Sequence, residues 1–115
     1  MNIVVLRGRL SSAPVIRELA SGSRLYSFEV TTVLPDGVSA SLPVAWFDPP
    51  LTVRFEQGDE VVVGGSVRRR FFKGATGTQS RTEVVAESVV PATARRRVER
   101  LVATMAAQLG TPSAT

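Results

Sequence analysis

Cysteine and histidine are both absent from this chain of 115 residues, and lysine occurs only once. Without cysteine there is no disulfide, thiolate nucleophile or cysteine-ligated zinc site. Without histidine there is no imidazole base and no Ser-His-Asp triad. The ten acidic residues are scattered, and no glycine-rich phosphate loop ending in Lys-Ser or Lys-Thr occurs. We therefore expect a protein that is not an enzyme, with no catalytic residues, metal, cofactor or small-molecule substrate.

Long apolar runs are absent as well. No run approaches the ~20 apolar residues that a membrane-spanning helix requires. The chain passes from Met1 directly into a strand-like segment, without the pattern of a signal peptide. Together with the lack of cysteine, this predicts a cytoplasmic protein with no membrane contact. The length and the 43% hydrophobic content predict one compact domain.

The positive charge is carried almost entirely by arginine, with thirteen arginines against one lysine. A guanidinium group binds phosphate and stacks on bases, so this bias is compatible with nucleic-acid binding, although a GC-rich genome would also raise the arginine content. Residues 1–91 hold ten basic and nine acidic residues, whereas residues 92–115 hold four basic residues and one acidic residue. The position of the basic residues is therefore more informative than their number.

The most informative segment spans residues 60–90, where two β-rich runs flank a seven-residue connection from Lys73 to Gln79. This pattern predicts a long hairpin. Its middle part contains five basic residues and no acidic one: Arg68, Arg69, Arg70, Lys73 and Arg81. Because side chains alternate along a strand, Arg68, Arg70 and Phe72 should share one side. Positive charge beside an exposed ring favours a partner that offers both phosphates and flat faces, as unpaired nucleic acid does.

Three further strands are predicted at residues 2–10, 24–33 and 38–47, and residues 15–19 extend the first. Five strands with bends at glycine predict an all-β protein, a small closed barrel of the OB-fold kind, with the hairpin between its fourth and fifth strands projecting. Periodicity alone also permits an SH3-like barrel. Trp46 shares a strand face with Leu42 and Val44, and is interpretable either as a core residue or as a base-stacking residue.

A different pattern begins after Pro91. Thr93 is a candidate cap for a helix that runs through Leu109 and ends at Gly110 and Pro112. Five residues form its apolar stripe, and four arginines crowd its first turns: Val98, Leu101, Val102, Met105 and Leu109, and Arg95, Arg96, Arg97 and Arg100. We expect a domain at residues 1–91, this amphipathic helix at 92–110 and a frayed tail at 111–115. The helix could pack on its own barrel, on a sister subunit or on another protein.

Several of these segments resemble the bacterial single-stranded DNA-binding protein family. The resemblance is carried by residues 2–10, 42–46, 58–72 and 82–86, and covers roughly residues 2–91. It implies an OB fold and a homo-oligomer, with a tetramer favoured over a dimer. It also implies sequence-tolerant binding of single-stranded DNA in replication, recombination or repair, at the nucleoid. By the same resemblance, Trp46 and Phe72 stack on bases, and Arg68 and Arg70 contact phosphates.

The chain also departs from the family pattern. Typical members end in a Gly/Pro/Gln-rich linker and an acidic tip that recruits partner proteins, and a basic amphipathic helix stands here instead. The resemblance is therefore to an atypical member or paralogue.

The predicted DNA-binding set comprises Trp46, Phe72, Arg68, Arg70, Arg7, Arg9, Lys73 and Arg81. Two alternatives remain. One is an OB-fold protein-interaction module, a primosome- or repair-type adaptor, with weak or lost DNA binding. The other is binding of single-stranded RNA, since no feature of the sequence reads the sugar.

Overall fold

The computed structural model of the chain describes residues 1–110. Within them lie six β-strands and one α-helix: β1 (Val4–Leu10), β2 (Val15–Glu18), β3 (Arg24–Val33), β4 (Ser39–Phe47), β5 (Glu60–Gly74), β6 (Gly77–Pro91) and α1 (Arg95–Leu109). The expectation of a mostly β protein with a C-terminal helix is confirmed. Residues 15–18, which the sequence suggests as an extension of the first strand, instead form a strand of their own that pairs with β3.

The sheet closes into a ring-like arrangement. Its strand order is β1-β5-β6-β4-β3-β2, and a further pairing joins β1 to β3. The closing contact pairs Arg9 with Thr31 and Leu10 with Val30. At this point a Cβ on Gly8 would collide with the backbone carbonyl of Thr31, so the close approach of the two strands requires glycine. The contact between β4 and β6 is parallel, and the other strand pairs are antiparallel.

Alternation along the strands separates an inner face from an outer face. On β3, Tyr26, Phe28 and Val30 are buried in the main core, whereas the intervening residues are only half-buried. The segment between β4 and β5 forms turns and contains no helix. Phe55 of this segment packs against the core, and its backbone N–H donates a hydrogen bond to the hydroxyl of Tyr26 at 3.2 Å.

The hairpin of β5 and β6 is longer and tighter than the sequence suggests. Pairing continues to Gly74 and Gly77, so the connection contains only residues 75 and 76 instead of seven residues. Gly77 has a φ of 116°, a value that favours glycine in so tight a turn. Near the base of the hairpin the register shifts between Gly64 and Gly65, which confirms the bend expected there.

Helix α1 packs on the outer face of its own sheet. Its buried residues Leu101 and Met105 contact Val62 of β5 and Val90 of β6. Gly64 lies beneath them, and a Cβ there would be 3.0 Å from the side chains of Leu101 and Met105. Ala94, not Thr93, is the N-terminal capping residue, and no side chain caps the helix. Gly110 ends the helix as expected, while Pro112 and the predicted frayed tail lie outside the described residues.

Candidate nucleic-acid interface

A groove of about 360 Å³ lies on the outer face of β3 and β4. Leu25 and Ser27 of β3, with Pro43 and Ala45 of β4, form its floor. Residues 12–17, which include β2, line one side, and the base of the β5–β6 hairpin lines the other. Ser27 and Ala45 are adjacent in the β3–β4 register, and their small side chains keep the floor open.

Three arginines from the hairpin line this groove. Arg68 and Arg70 project from β5, and Arg81 projects from β6. In the ladder Arg68 is opposite Glu83, and Arg70 is opposite Arg81, which places all of them on the same face of the hairpin. The prediction that Arg68 and Arg70 share one side of the strand is confirmed.

Glu83 joins two of these arginines. The Nε of Arg68 lies 3.0 Å from Oε1 of Glu83, and the Nε of Arg70 lies 3.4 Å from the same oxygen. The Glu83 residue is only 5% exposed. A second and more exposed ion pair joins Nη2 of Arg81 to Oε1 of Glu29 at 3.2 Å. Four arginines (17, 68, 70 and 81) and two glutamates (29 and 83) line the groove, which gives it a formal net charge of +2.

Two phenylalanine rings lie against these guanidinium groups. The Cζ atom of Arg68 is 5.4 Å from the centroid of the Phe47 ring, and that of Arg70 is 5.8 Å from the centroid of the Phe72 ring. Both distances are within the range of cation–π contacts. Phe47 is 36% exposed and Phe72 is 40% exposed, so both rings retain solvent-accessible area. Positive charge and aromatic surface therefore occur together on one face.

Trp46 does not belong to this surface, and its predicted role in base stacking is wrong. It is 6% exposed, lies in the main core and meets Tyr26 edge to face, with ring centroids 6.2 Å apart. The apolar face that it shares with Leu42 and Val44 points inwards. Phe47, one residue later, points outwards next to Arg68. The signal for Phe47 was present in the same alternation, because adjacent residues of a strand face opposite sides.

The remaining predicted residues are not brought into the groove. Arg7 and Arg9 project from β1, and both form ion pairs with Glu60. Neither lines the groove. Lys73 is exposed near the tip of the hairpin, opposite Thr78 in the ladder and one residue beyond Phe72. The structure thus unites Arg68, Arg70, Arg81 and Phe72, adds Phe47, and leaves Arg7, Arg9 and Lys73 elsewhere.

Comparison with protein-family models and with curated proteins gives no match for this chain. In the part of the chain that the structure describes, no group of three or more acidic residues could hold a metal ion. No helix among residues 1–110 is long and apolar enough to cross a membrane.

Proposed function

We propose that this chain is a non-catalytic, sequence-tolerant single-stranded DNA-binding protein that holds an unpaired strand in the groove. The observation that carries the proposal is the pairing of Arg68 with Phe47 and of Arg70 with Phe72 on one exposed face. Unpaired nucleic acid presents phosphates and open base faces together, and proteins bind it by combining a positive groove with aromatic rings. In duplex DNA the base faces are already stacked, so duplex should bind more weakly.

The fold supports this proposal. We propose that the ring of β1, β3, β4, β6 and β5 is a five-stranded OB-fold barrel, with β2 added at the edge of β3. In OB folds, oligonucleotides bind to the face of the second and third strands, between the loop after the first strand and the loop joining the last two. The groove described above lies in the corresponding place, since its floor is β3 and β4 and its sides are residues 12–17 and the β5–β6 hairpin. Membership of the bacterial single-stranded DNA-binding protein family, and a location at the nucleoid, are part of the same proposal.

The binding mode assigns one role to each kind of side chain. Bases stack on Phe72 and Phe47, at ~1–3 kcal/mol per base. Arg68, Arg70 and Arg81 contact phosphates, because a guanidinium group can donate two parallel hydrogen bonds to one phosphate. With two rings beside the groove, against Arg68 and Arg70, stacking engages about two bases per protomer, and the remaining affinity comes from the phosphate backbone.

The test is a titration of fluorescein-labelled oligo-dT, followed by fluorescence anisotropy at several salt concentrations. Binding should weaken steeply as salt rises, because bound arginines release the counterions of the phosphates. Unlabelled duplex should compete poorly. Competition by oligo-rU of the same length distinguishes DNA from RNA as the preferred strand. If oligo-dT does not bind at low salt, or duplex competes as well as oligo-dT, the proposal fails.

A protein-interaction module is the second candidate. The burial of Trp46 favours it, because one of the two predicted base-stacking rings is enclosed in the core. In that case the apolar residues exposed on β2, Val15 at 63% and Ile16 at 53%, would contact a partner protein. Ile16 does not line the groove, so an Ile16→Ser variant that loses the partner protein but binds oligo-dT as the unchanged protein does would show that the partner surface is distinct from the groove.

We also propose that the chain self-associates, with a tetramer favoured. In the described residues β2 is the last strand of the sheet, and all four of its residues are exposed. An exposed edge strand with apolar side chains is a common site of strand pairing between chains. Light scattering coupled to gel filtration should give a multiple of the 12.3 kDa chain mass. A monomeric mass at micromolar concentration would contradict this proposal and leave the groove proposal unaffected.

A further inference from the structure

We propose that Glu83 is a positioning residue of the groove, which orients Arg68 and Arg70 so that their terminal nitrogens are presented to phosphates. This inference rests on the proposed single-stranded DNA binding. Glu83 is the one buried polar or charged residue among residues 1–110. Its side chain nevertheless points to the outer face of β6, where it lines the groove.

A buried carboxylate is stable only when charged or hydrogen-bonding groups surround it. Glu83 meets this requirement through two arginines at once, both of which contact the same oxygen, Oε1. The two guanidinium groups are thereby drawn together on one carboxylate, and each also lies against a phenylalanine ring. Each of the two arginines thus contacts both the carboxylate and a ring, so its side chain is restrained before any ligand binds.

The nitrogen that each arginine uses to contact Glu83 decides whether Glu83 orients the arginine for phosphate or competes with phosphate for it. Arg68 and Arg70 both approach Glu83 through Nε. A guanidinium group has five N–H donors, and Nε supplies only one of them. In the described part of the chain, the terminal nitrogens of Arg68 and Arg70 have no hydrogen-bond partner. The terminal N–H groups, which can bind a phosphate as a pair, therefore stay available while Glu83 contacts Nε.

Glu29 provides a contrast within the same groove. It contacts Arg81 through Nη2, a terminal nitrogen, and its side chain is 46% exposed against 7% for Glu83. This pair uses a donor that a phosphate would need, so Glu29 competes with the ligand. Changing either glutamate to glutamine removes one negative charge from the groove. Comparison of the two variants separates the orienting effect from the simple change of charge.

The experiment measures oligo-dT affinity and its salt dependence for Glu83→Gln and Glu29→Gln. Glu29→Gln should raise the affinity about threefold, since a competing charge is lost. Glu83→Gln should instead lower it about three- to tenfold and reduce the salt slope by about one, because phosphate contacts are lost. If Glu83→Gln strengthens binding as much as Glu29→Gln does, with an unchanged or steeper salt slope, the positioning role is refuted and Glu83 is a competitor.

A second measurement does not depend on DNA. In the free protein, NMR signals of the Nε–H groups of Arg68 and Arg70 should exchange slowly with water, and Arg69 on the opposite face is the matched control. Glu83→Gln should accelerate exchange at Arg68 and Arg70 and leave Arg69 unchanged. If all three arginines exchange alike in the unchanged protein, the inference fails even where oligo-dT binds. If the Nε–H groups of Arg68 and Arg70 exchange slowly only when Glu83 is present, but oligo-dT does not bind, the proposed function fails and the restraint on the arginines stands.

Discussion

The arginines of the groove and the arginines of α1 differ in what surrounds them. Arg68 and Arg70 are restrained by a buried carboxylate and by two rings. The four arginines at the start of α1, Arg95, Arg96, Arg97 and Arg100, are exposed and form no ion pair within residues 1–110. Restrained guanidinium groups lose little conformational entropy on binding, so they can select a ligand by its geometry. Exposed and unrestrained ones contribute mainly long-range attraction that salt screens.

The two regions also differ in what the sequence surrounding the arginines contains. Along one face of β5, Phe72 follows Arg68 and Arg70, so charge and stacking surface share that face. In α1 the apolar residues are used to dock the helix on the sheet, through Leu101 and Met105. No ring is present in α1 to stack on a base. We therefore expect the groove to distinguish unpaired strands from duplex, and α1 to attract either.

The largest effect is expected from removing charge in the groove. The double variant Arg68→Gln, Arg70→Gln should weaken oligo-dT binding by about a hundredfold and lower the salt slope by about two. Arg95→Gln, Arg96→Gln removes the same charge from α1 and is the matched control. Anisotropy titrations at four salt concentrations give both quantities. Equal losses from the two double variants would remove the distinction between the regions.

A somewhat smaller effect is expected from the ring on the groove side of the hairpin. Phe72→Ala should reduce the binding free energy by ~1–3 kcal/mol, the contribution of one stacked base. Phe71→Ala is the control, because Phe71 is adjacent in sequence and 66% exposed but faces the other way. Unfolding in urea should show similar stability for both variants. If the two substitutions weaken oligo-dT binding to the same extent, the assignment of Phe72 to the groove side and of Phe71 to the opposite side is wrong.

The arginines of α1 should contribute modestly, and only at low salt. Changing Arg95, Arg96 and Arg100 to glutamine should lower oligo-dT affinity about threefold at low ionic strength. Near 0.3 M salt the effect should disappear, because the Debye length is then only about 6 Å. Duplex binding should fall by the same factor. A loss that persists at high salt, and only for single strands, would assign α1 to the binding site itself.

The smallest effect on affinity is expected at Trp46. Trp46→Phe should change oligo-dT affinity by less than about twofold, because the indole faces the core beneath the groove. The same substitution should lower the free energy of unfolding by ~1–3 kcal/mol, since it leaves a cavity among buried side chains. Urea denaturation followed by circular dichroism measures the stability. A large loss of affinity with unchanged stability would contradict the burial of Trp46 and indicate that it contacts the bound strand.

Much of the fold could be predicted because its signals are local. Alternation at Tyr26, Phe28 and Val30 identifies β3, and the apolar stripe of α1 identifies the helix and its buried Leu101 and Met105. The independent strand at Val15–Glu18 was not separable from β1 by pattern alone, because all four residues are exposed and only pairing with β3 defines it. The two-residue turn of the hairpin depends likewise on pairing across the ladder, which composition does not reveal.

The site was predicted in part, for a related reason. Periodicity correctly placed Arg68, Arg70 and Phe72 on one side, but it cannot say which side of β4 faces the core. That choice depends on the rest of the sheet, and it decides between Trp46 and Phe47. The ion pairs of Arg7 and Arg9 with Glu60 join residues more than fifty positions apart, and so does the ion pair of Arg81 with Glu29. Such contacts follow from tertiary structure, so a basic residue in a strand was not by itself a reliable indicator of the groove.

The most direct test of the central claim is a map of the surface that contacts a single strand. Two-dimensional NMR spectra of the labelled protein, recorded while oligo-dT is added, locate that surface residue by residue. We predict shift changes concentrated at Ala45, Phe47, Arg68, Arg70, Phe72 and Arg81, with little change at Arg7 or Arg9. Changes confined to α1, or absent from the groove at saturating oligo-dT, would contradict the account.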